Sequence, residues 1–267
     1  MRVSPDAAYL QEIRPIASLT ARLRPLPPPP PELLRDAALL LDFDGTLVEI
    51  ADRPDAIVVP ASLVALLERL GTALAGRVAI ISGRSVDSIR AWLPGLTLAV
   101  SGSHGAELHW PGLPVTAPPR PAALDLAVAA MRDLAQQHGG IEVEDKPLGA
   151  ALHYRMAPGC QLLCEALAAS LARTHDLYVQ HGKMMVELRP RGFDKGAALR
   201  AIMAAPAMQG ARPVFIGDDL TDRPAMVAAR DLGGDAIIVG NIDMSPAHYR
   251  LADVGGALAW LDAACPA

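Results

Sequence analysis

Cysteine is scarce in this chain, with three residues among 267: Cys160, Cys164 and Cys265. Three thiols cannot build the disulfide framework that stabilises many small secreted domains, so we expect a reducing, cytoplasmic location. Cys160 and Cys164 are four residues apart, a spacing that allows metal binding from one face of a helix. No further Cys or His completes a plausible site in the sequence, and burial within the helix is the favoured interpretation.

Aromatic residues, long apolar runs and a strong excess of charge are also missing. Aromatics make up 4% of the residues, whereas 51% are hydrophobic and spread through many short segments. No run approaches the roughly 18 apolar residues of a membrane span, and the N-terminus lacks the apolar core of a secretory signal. The net charge of −5 gives no general reason to expect nucleic acid as a partner. The composition is globular, and we expect a monomer or a weak homo-oligomer without membrane contact.

The order of the predicted elements indicates a doubly wound parallel sheet that is interrupted by an insertion. The apolar run 37–43 predicts a buried strand, and helices and strands alternate after it. Within 110–189 the order changes to helix, two strands, helix, two strands, and the first rhythm then resumes. We therefore predict an α/β protein with a Rossmann-like core over residues 36–109 and 190–267 and a smaller α/β cap domain over 110–189.

Residues 1–35 form an N-terminal extension in this interpretation, and it contains a proline-rich stretch, 25–31. Proline fixes φ and restricts the residue before it, so the stretch must be extended. Such a stretch is either a stiff spacer that leads into the fold or a ligand for a proline-binding domain. The spacer is the favoured interpretation.

Acidic, hydroxyl and basic side chains recur where elements of the predicted sheet end. Because ligands of open α/β sheets bind beyond the carboxyl ends of the strands, we expect these side chains to converge. Carboxylates so close together repel when all are charged, which favours a cation between them or a raised pKa on one of them. Oxygen ligands suit Mg²⁺ beside a phosphate. The residues are Asp42, Asp44, Ser82, Lys195, Asp218 and Asp219.

These segments resemble the four ordered motifs of the haloacid-dehalogenase superfamily of phosphotransferases. The resemblance implies that Asp42 is the nucleophile and forms an aspartyl-phosphate. Asp44 would protonate the leaving oxygen and later deprotonate the hydrolytic water. Ser82 and Lys195 would hold the phosphoryl oxygens.

The same resemblance implies a Mg²⁺ site. Its ligands would be Asp42, the backbone carbonyl of Asp44, and Asp218, with Asp219 in support. All of these positions carry the acidic residues that the motifs require.

In more detail, the sequence is similar to trehalose-6-phosphate phosphatases, in segments such as Ile81–Arg84, Gly102–Glu107 and Gly217–Asp222. This resemblance implies Mg²⁺-dependent hydrolysis of trehalose 6-phosphate, the last step of trehalose synthesis, under a mobile cap. A small-molecule sugar phosphate is then the expected partner. The residues implied in substrate binding are Gly83, Arg84, His104, Glu107, Lys146, Lys183 and Glu187.

Some of these assignments have a plain structural alternative. Lys146 follows an acidic strand and is equally consistent with a solvated charge in a hairpin. Lys183 and Glu187 are predicted to share one face of the last cap strand, which favours a joint role. The sequence also departs from the family at Arg223, where an acid is usual, and Asp222 is predicted to cap the helix that follows.

Two other functions remain open at the level of sequence. One is hydrolysis of a different sugar phosphate by an enzyme of the same superfamily. The other is sugar-phosphate binding by a catalytically inactive domain, although such domains usually lose a motif aspartate and none is lost here.

Overall fold

A computed structural model describes residues 25–51 and 56–265. The strands are β1 (Ala37–Leu41), β2 (Val78–Ile81), β3 (Ala99–Gly102), β4 (Glu107–His109), β5 (Glu142–Lys146), β6 (Gly149–His153), β7 (Leu177–Gly182), β8 (Met185–Pro190), β9 (Arg212–Gly217), β10 (Asp235–Val239) and β11 (Tyr249–Leu251). The helices are α1 (Ala61–Ala73), α2 (Val86–Trp92), α3 (Ala122–Gln137), α4 (Gln161–His175), α5 (Lys195–Met203), α6 (Arg223–Asp231) and α7 (Val254–Ala264). Among the described residues, no helix has the length and apolar character of a membrane span.

The larger sheet has seven strands in the order β11-β10-β9-β1-β2-β3-β4. All neighbouring pairs are parallel except β3 and β4. This topology confirms the predicted α/β class with a parallel, Rossmann-like core. Since β1 lies between β9 and β2, the residues that follow these three strands meet at the same edge of the sheet.

The strand β1 is buried on both faces, which explains its unbroken apolar sequence. Leu39 and Leu41 lie in the apolar cluster to which α1, α2 and α7 contribute. Leu40 lies in the cluster on the opposite face, with residues of α5 and α6. The helices thus cover both faces of the sheet.

The smaller sheet is antiparallel, with the order β5-β6-β8-β7. Together with α3 and α4 it forms a unit between β4 and α5 that we call the cap unit. One face of its sheet packs on the two helices through residues such as Leu152 and Leu188. Because side chains alternate along strands, the other face carries a different set of residues, which we call the polar cap face. Among its residues are Glu144, Lys146, Tyr178, Gln180, Glu187 and Arg189.

The described part of the proline-rich stretch lies against the core. The carbonyl of Pro27 accepts a hydrogen bond from the backbone N–H of Arg250, at 3.0 Å. The carbonyl of Pro29, a buried residue, accepts one from Nε1 of Trp260 at 2.9 Å. These contacts agree better with a segment that leads into the fold than with a free ligand. The expectations for residues 1–24 lie outside the described residues.

Candidate active site

A lysine and two aspartates meet at the carboxyl end of β1. The Nζ atom of Lys195 lies 2.7 Å from Oδ1 of Asp42 and 2.7 Å from Oδ1 of Asp222. All three side chains are buried. Lys195 is the first residue of α5, whose start is fixed by the Asp194 carboxylate, an acceptor for the backbone N–H of Ala197. Because Lys195 begins α5, its ammonium lies at the carboxyl end of β1, although the two elements are distant in sequence.

Negative charge exceeds positive charge in this cluster. Burial and the neighbouring Asp222 raise the pKa of Asp42, and Lys195 only partly opposes them. Burial and repulsion by Asp222 and Asp219 raise the pKa of Asp218 to about 7. Burial alone would lower the pKa of the Lys195 ammonium, but the two carboxylates overcome this and raise it. A cation of higher charge would relieve the repulsion.

Three carboxylates fit such a cation. Asp42, Asp218 and Asp222 each offer an oxygen, and these oxygens lie within 4.8 Å of one another. At Gly45, whose φ is +76°, an added Cβ atom would lie 2.1 Å from Oδ2 of Asp218. The motif therefore needs glycine at this position to admit the carboxylate. A set of carboxylate oxygens is the donor set of a hard divalent cation.

Asp222 has a different role from the one predicted. It occupies the N-cap position of α6, as predicted, but its side chain makes no cap hydrogen bond to that helix. Instead its Oδ2 accepts hydrogen bonds from the backbone N–H groups of Asp218, at 2.9 Å, and Asp219, at 3.1 Å. Its position in the motif was visible in the sequence, but its orientation depends on how the loop after β9 folds back.

The carboxylate of Asp219 turns away from the cluster. It accepts hydrogen bonds from the backbone N–H and the hydroxyl of Thr221, at 2.7 and 2.6 Å. Asp219 therefore caps the short turn 220–222. In the described residues, the cluster of candidate metal ligands includes Asp222 and not Asp219.

Asp44 and Ser82 lie beside this cluster with Arg84. The Arg84 guanidinium donates from Nε and Nη2 to the two carboxylate oxygens of Asp44, at 2.7 and 2.8 Å. Ser82 is buried, and its Oγ accepts a hydrogen bond from the backbone N–H of Arg84 at 3.1 Å. The turn after β2 thus orders both a hydroxyl and a guanidinium next to the carboxylates.

His104 connects the core to the cap unit. It is buried with a left-handed backbone (φ 55°, ψ 31°), and its Nε2 lies 3.8 Å from Oε2 of Glu187. A Cβ atom at Gly83 would lie 2.6 Å from the His104 ring, so glycine is required for this approach. Burial lowers the pKa of His104, although Glu187 opposes the shift. The motif residues Gly83 and His104 therefore act together in packing.

Lys146 pairs with Glu187 across the cap sheet. Its Nζ lies 2.8 Å from Oε2 of Glu187, and the alternative of a solvated hairpin charge is wrong. Burial favours the neutral form of Glu187, but Lys146 and His104 hold its pKa well below the usual range. Two of the predicted sugar-facing residues are thus placed together opposite the core.

Two other predicted residues lie elsewhere. Lys183 is exposed in the turn between β7 and β8, so the prediction that it shares a strand face with Glu187 is wrong. Glu107 is buried, and its carboxylate accepts a hydrogen bond from the backbone N–H of Val86 at 2.6 Å. This contact at the start of α2 was not anticipated.

Comparison with known proteins identifies the family. Residues 40–238 match the trehalose-phosphatase family. The chain is 36% identical over 240 residues to the trehalose-6-phosphate phosphatase of Escherichia coli, covering 87% of this chain and 88% of the relative. A crystal structure of a trehalose-6-phosphate phosphatase related protein is 26% identical, with a TM-score of 0.72 over 84% of this chain and 94% of that one.

The fold extends to more distant proteins. A haloacid dehalogenase-like hydrolase from Bacillus subtilis has a TM-score of 0.61 at 16% identity, over 84% of this chain and 98% of that one. This likeness confirms the haloacid-dehalogenase-like fold that the motifs implied. By its motifs, its fold and its match over most of its length, the chain belongs to the trehalose-phosphatase family.

Proposed function

We propose that this protein hydrolyses trehalose 6-phosphate to trehalose and phosphate with Mg²⁺ as cofactor. The observation that carries the proposal is the buried cluster in which Lys195 bridges Asp42 and Asp222 beside Asp218. Phosphoryl transfer needs a positioned nucleophile and neutralisation of charge, and this cluster supplies both. The family membership supports trehalose 6-phosphate as the substrate.

In the proposed reaction, a carboxylate oxygen of Asp42 attacks phosphorus, and the bond from phosphorus to the sugar oxygen breaks. Asp44 donates a proton to that oxygen as trehalose leaves. Asp44 then takes a proton from water, whose oxygen attacks the aspartyl-phosphate and releases phosphate. Ser82 and Lys195 hold the phosphoryl oxygens through both steps.

Mg²⁺, when bound, supplies charge neutralisation at the phosphoryl group. We assign it to Asp42, the backbone carbonyl of Asp44, and Asp218. Asp219 supports the site as the cap of the turn 220–222, and Asp222 holds the backbone of that turn and the ammonium of Lys195.

We assign the core domain to residues 36–109 and 190–267, the cap domain to 110–189, and the N-terminal extension to 1–35. The cap and the adjoining loops carry the contacts to the sugar. The proposed contacts are Gly83, Arg84, His104, Glu107, Lys146, Lys183 and Glu187. Support for the assignment is strongest where Lys146, Glu187 and His104 meet, and Glu107 acts through the start of α2.

A cytoplasmic location fits the three cysteines, which are free in the structure. We also propose a monomer or a weak homo-oligomer, which size-exclusion chromatography with light scattering would check. A preference for monosaccharide phosphates would favour a different sugar-phosphate phosphatase instead. A protein that releases no phosphate from any substrate would instead be a catalytically inactive binding domain. The one sequence feature that favours this alternative is Arg223, where the family usually has an acid.

The direct test is phosphate release from a panel of sugar phosphates, with Mg²⁺ and with EDTA. We expect turnover of trehalose 6-phosphate in Mg²⁺, far above that of glucose 6-phosphate, and none in EDTA. Absence of phosphate release from trehalose 6-phosphate in Mg²⁺ would refute the proposal.

A further inference from the structure

A cleft of about 450 Å³ lies between the core and the cap unit. Its lining on the core side includes Lys195 and His104, next to the candidate nucleophile. Its lining on the cap side is Tyr178, Gln180 and Arg189 of the polar cap face, and we call this side the far end of the cleft. None of these last three residues belongs to the predicted sugar contacts. The cleft thus continues beyond the reacting centre to a part of the cap with no assigned role.

Arg189 organises this far end of the cleft. Its guanidinium carbon lies 4.4 Å from the centroid of the Tyr178 ring, and Nη2 donates to Oε1 of Gln180 at 3.4 Å. Nη1 donates to the carbonyl of Phe193, in the segment that leads into α5. The side chain is buried, so the ring and the amide are held before any ligand arrives.

The exposed groups at this end suit a sugar. Tyr178 is 41% exposed and Leu220, on the core side, is 68% exposed, although both are large and apolar. An aromatic face accepts the C–H face of a pyranose, and an amide exchanges hydrogen bonds with hydroxyls. In the described residues, Nε of Arg189 is buried without a hydrogen-bond partner. A mixed lining of apolar surface with a few fixed polar groups is typical of small-molecule sites.

The register of the cap sheet relates this end to the other sugar contacts. Gln180 lies directly opposite Glu187 in the pairing of β7 with β8. Neighbouring strands are about 4.8 Å apart, so the two side chains lie side by side on one face. A sugar ring held near Glu187 and Lys146 therefore has the Tyr178 end of the cleft directly beside it.

We propose that Tyr178, Gln180 and Arg189 form a subsite for the second, unphosphorylated ring of the disaccharide. This inference rests on the proposed function and adds the residues that select a disaccharide phosphate over a monosaccharide phosphate. Tyr178 and Gln180 contact the ring, and Arg189 is the positioning residue that fixes them. The subsite contributes binding and leaves the chemical step to the core.

The test compares Tyr178→Ala, Tyr178→Phe and Gln180→Ala with the wild-type protein in Mg²⁺. The substrates are trehalose 6-phosphate, glucose 6-phosphate and p-nitrophenyl phosphate. We expect Tyr178→Ala to raise KM for trehalose 6-phosphate about tenfold with little change in kcat, because binding common to ground and transition states is lost. KM for the other two substrates should stay within about twofold of the wild-type values. Tyr178→Phe keeps the ring and should therefore have the wild-type KM for trehalose 6-phosphate.

Leu162→Ala is the matched control, since Leu162 is an exposed apolar residue (79%) on α4 of the same cap unit. Circular dichroism verifies that each variant is folded. An unchanged KM for trehalose 6-phosphate in both Tyr178→Ala and Gln180→Ala overturns the subsite while wild-type turnover still supports the proposed function. Equal losses on all three substrates also overturn it. A wild-type protein that hydrolyses p-nitrophenyl phosphate but not trehalose 6-phosphate removes the proposed function and the subsite with it.

Discussion

The guanidinium of Arg84 makes a bidentate contact with the carboxylate of Asp44, with Nε 2.7 Å from one oxygen and Nη2 2.8 Å from the other. The two residues follow neighbouring strands, β1 and β2, so the parallel sheet brings them together. A planar fork fixes both the position and the orientation of a carboxylate, which a lysine ammonium cannot do. This pairing matters because Asp44 is the proposed acid and base.

Arg84→Lys is expected to lower kcat/KM for trehalose 6-phosphate by about tenfold or more, since general acid–base catalysis depends on orientation. Steady-state phosphate release measures the effect. Arg90→Lys, an exposed arginine on the adjoining helix α2, is the control and should leave the rate unchanged. Wild-type kinetics in Arg84→Lys would show that the bidentate contact has no part in catalysis.

Asp42→Asn is expected to reduce turnover by at least about 10³-fold because the covalent step is lost. The fold should persist, since one of several mutually repelling buried carboxylates is removed. Thermal melting in EDTA should give a midpoint no lower than that of the wild-type protein. Retention of full activity would exclude Asp42 as the nucleophile.

Metal-free stability should depend on pH through Asp218. Its pKa is raised to about 7 in the folded protein, from a reference value of 3.8, so the folded state holds the proton more tightly. Stability from this group is present at low pH and is lost as pH rises through about 7. In EDTA, the melting midpoint from pH 5 to pH 8 should fall at least about 2 °C further for wild type than for Asp218→Asn.

Mg²⁺ should raise the wild-type midpoint most at pH 8, where it replaces the charge of the lost proton. Glu187, whose pKa is lowered, changes its charge at more acidic pH than the range from pH 5 to pH 8. The protonation of His104 contributes equally to the stability of the wild-type protein and of Asp218→Asn, so it cancels when the two pH curves are compared. Parallel pH curves for wild type and Asp218→Asn would contradict the prediction.

The two cap lysines should differ in their effect on the sugar substrate. Lys146→Ala leaves Glu187 buried without its ammonium partner, whereas Lys183 is exposed and its removal leaves the ion pair intact. We expect both variants to weaken turnover of trehalose 6-phosphate more than that of p-nitrophenyl phosphate, and Lys146→Ala by the larger factor. Ratios of kcat/KM for the two substrates measure this. Equal losses on both substrates would argue against recognition of the sugar by these lysines.

Much of the core was predictable because buried parallel strands have continuous apolar sequences. The run that forms β1 and the acids that follow it placed the candidate catalytic residues correctly at the end of a strand. The strands β4 and β11 were missed, since each has three residues and is too short for a periodic pattern. Their positions at the sheet edges depend on pairing with β3 and β10.

Side-chain direction was harder to predict than position. Asp222 lies two residues from a helix-compatible proline and fits a cap by its type, yet the loop after β9 turns its carboxylate to Lys195. Glu107 lies in a family motif, yet it holds the start of α2. In each case the partner is a backbone group or side chain that only the folded loop brings near.

The sequence by itself determined which acidic residues follow β1 and the alternation that makes the class α/β, because residue type and period are local properties. The tertiary structure decided the partners: Arg84 for Asp44, Asp222 for Lys195, and Lys146 for Glu187. Such contacts join residues that are distant in the chain, and burial then decides their charge. For this reason the sequence alone did not predict how the side chains of the polar cap face are arranged. That arrangement depends on how both sheets fold.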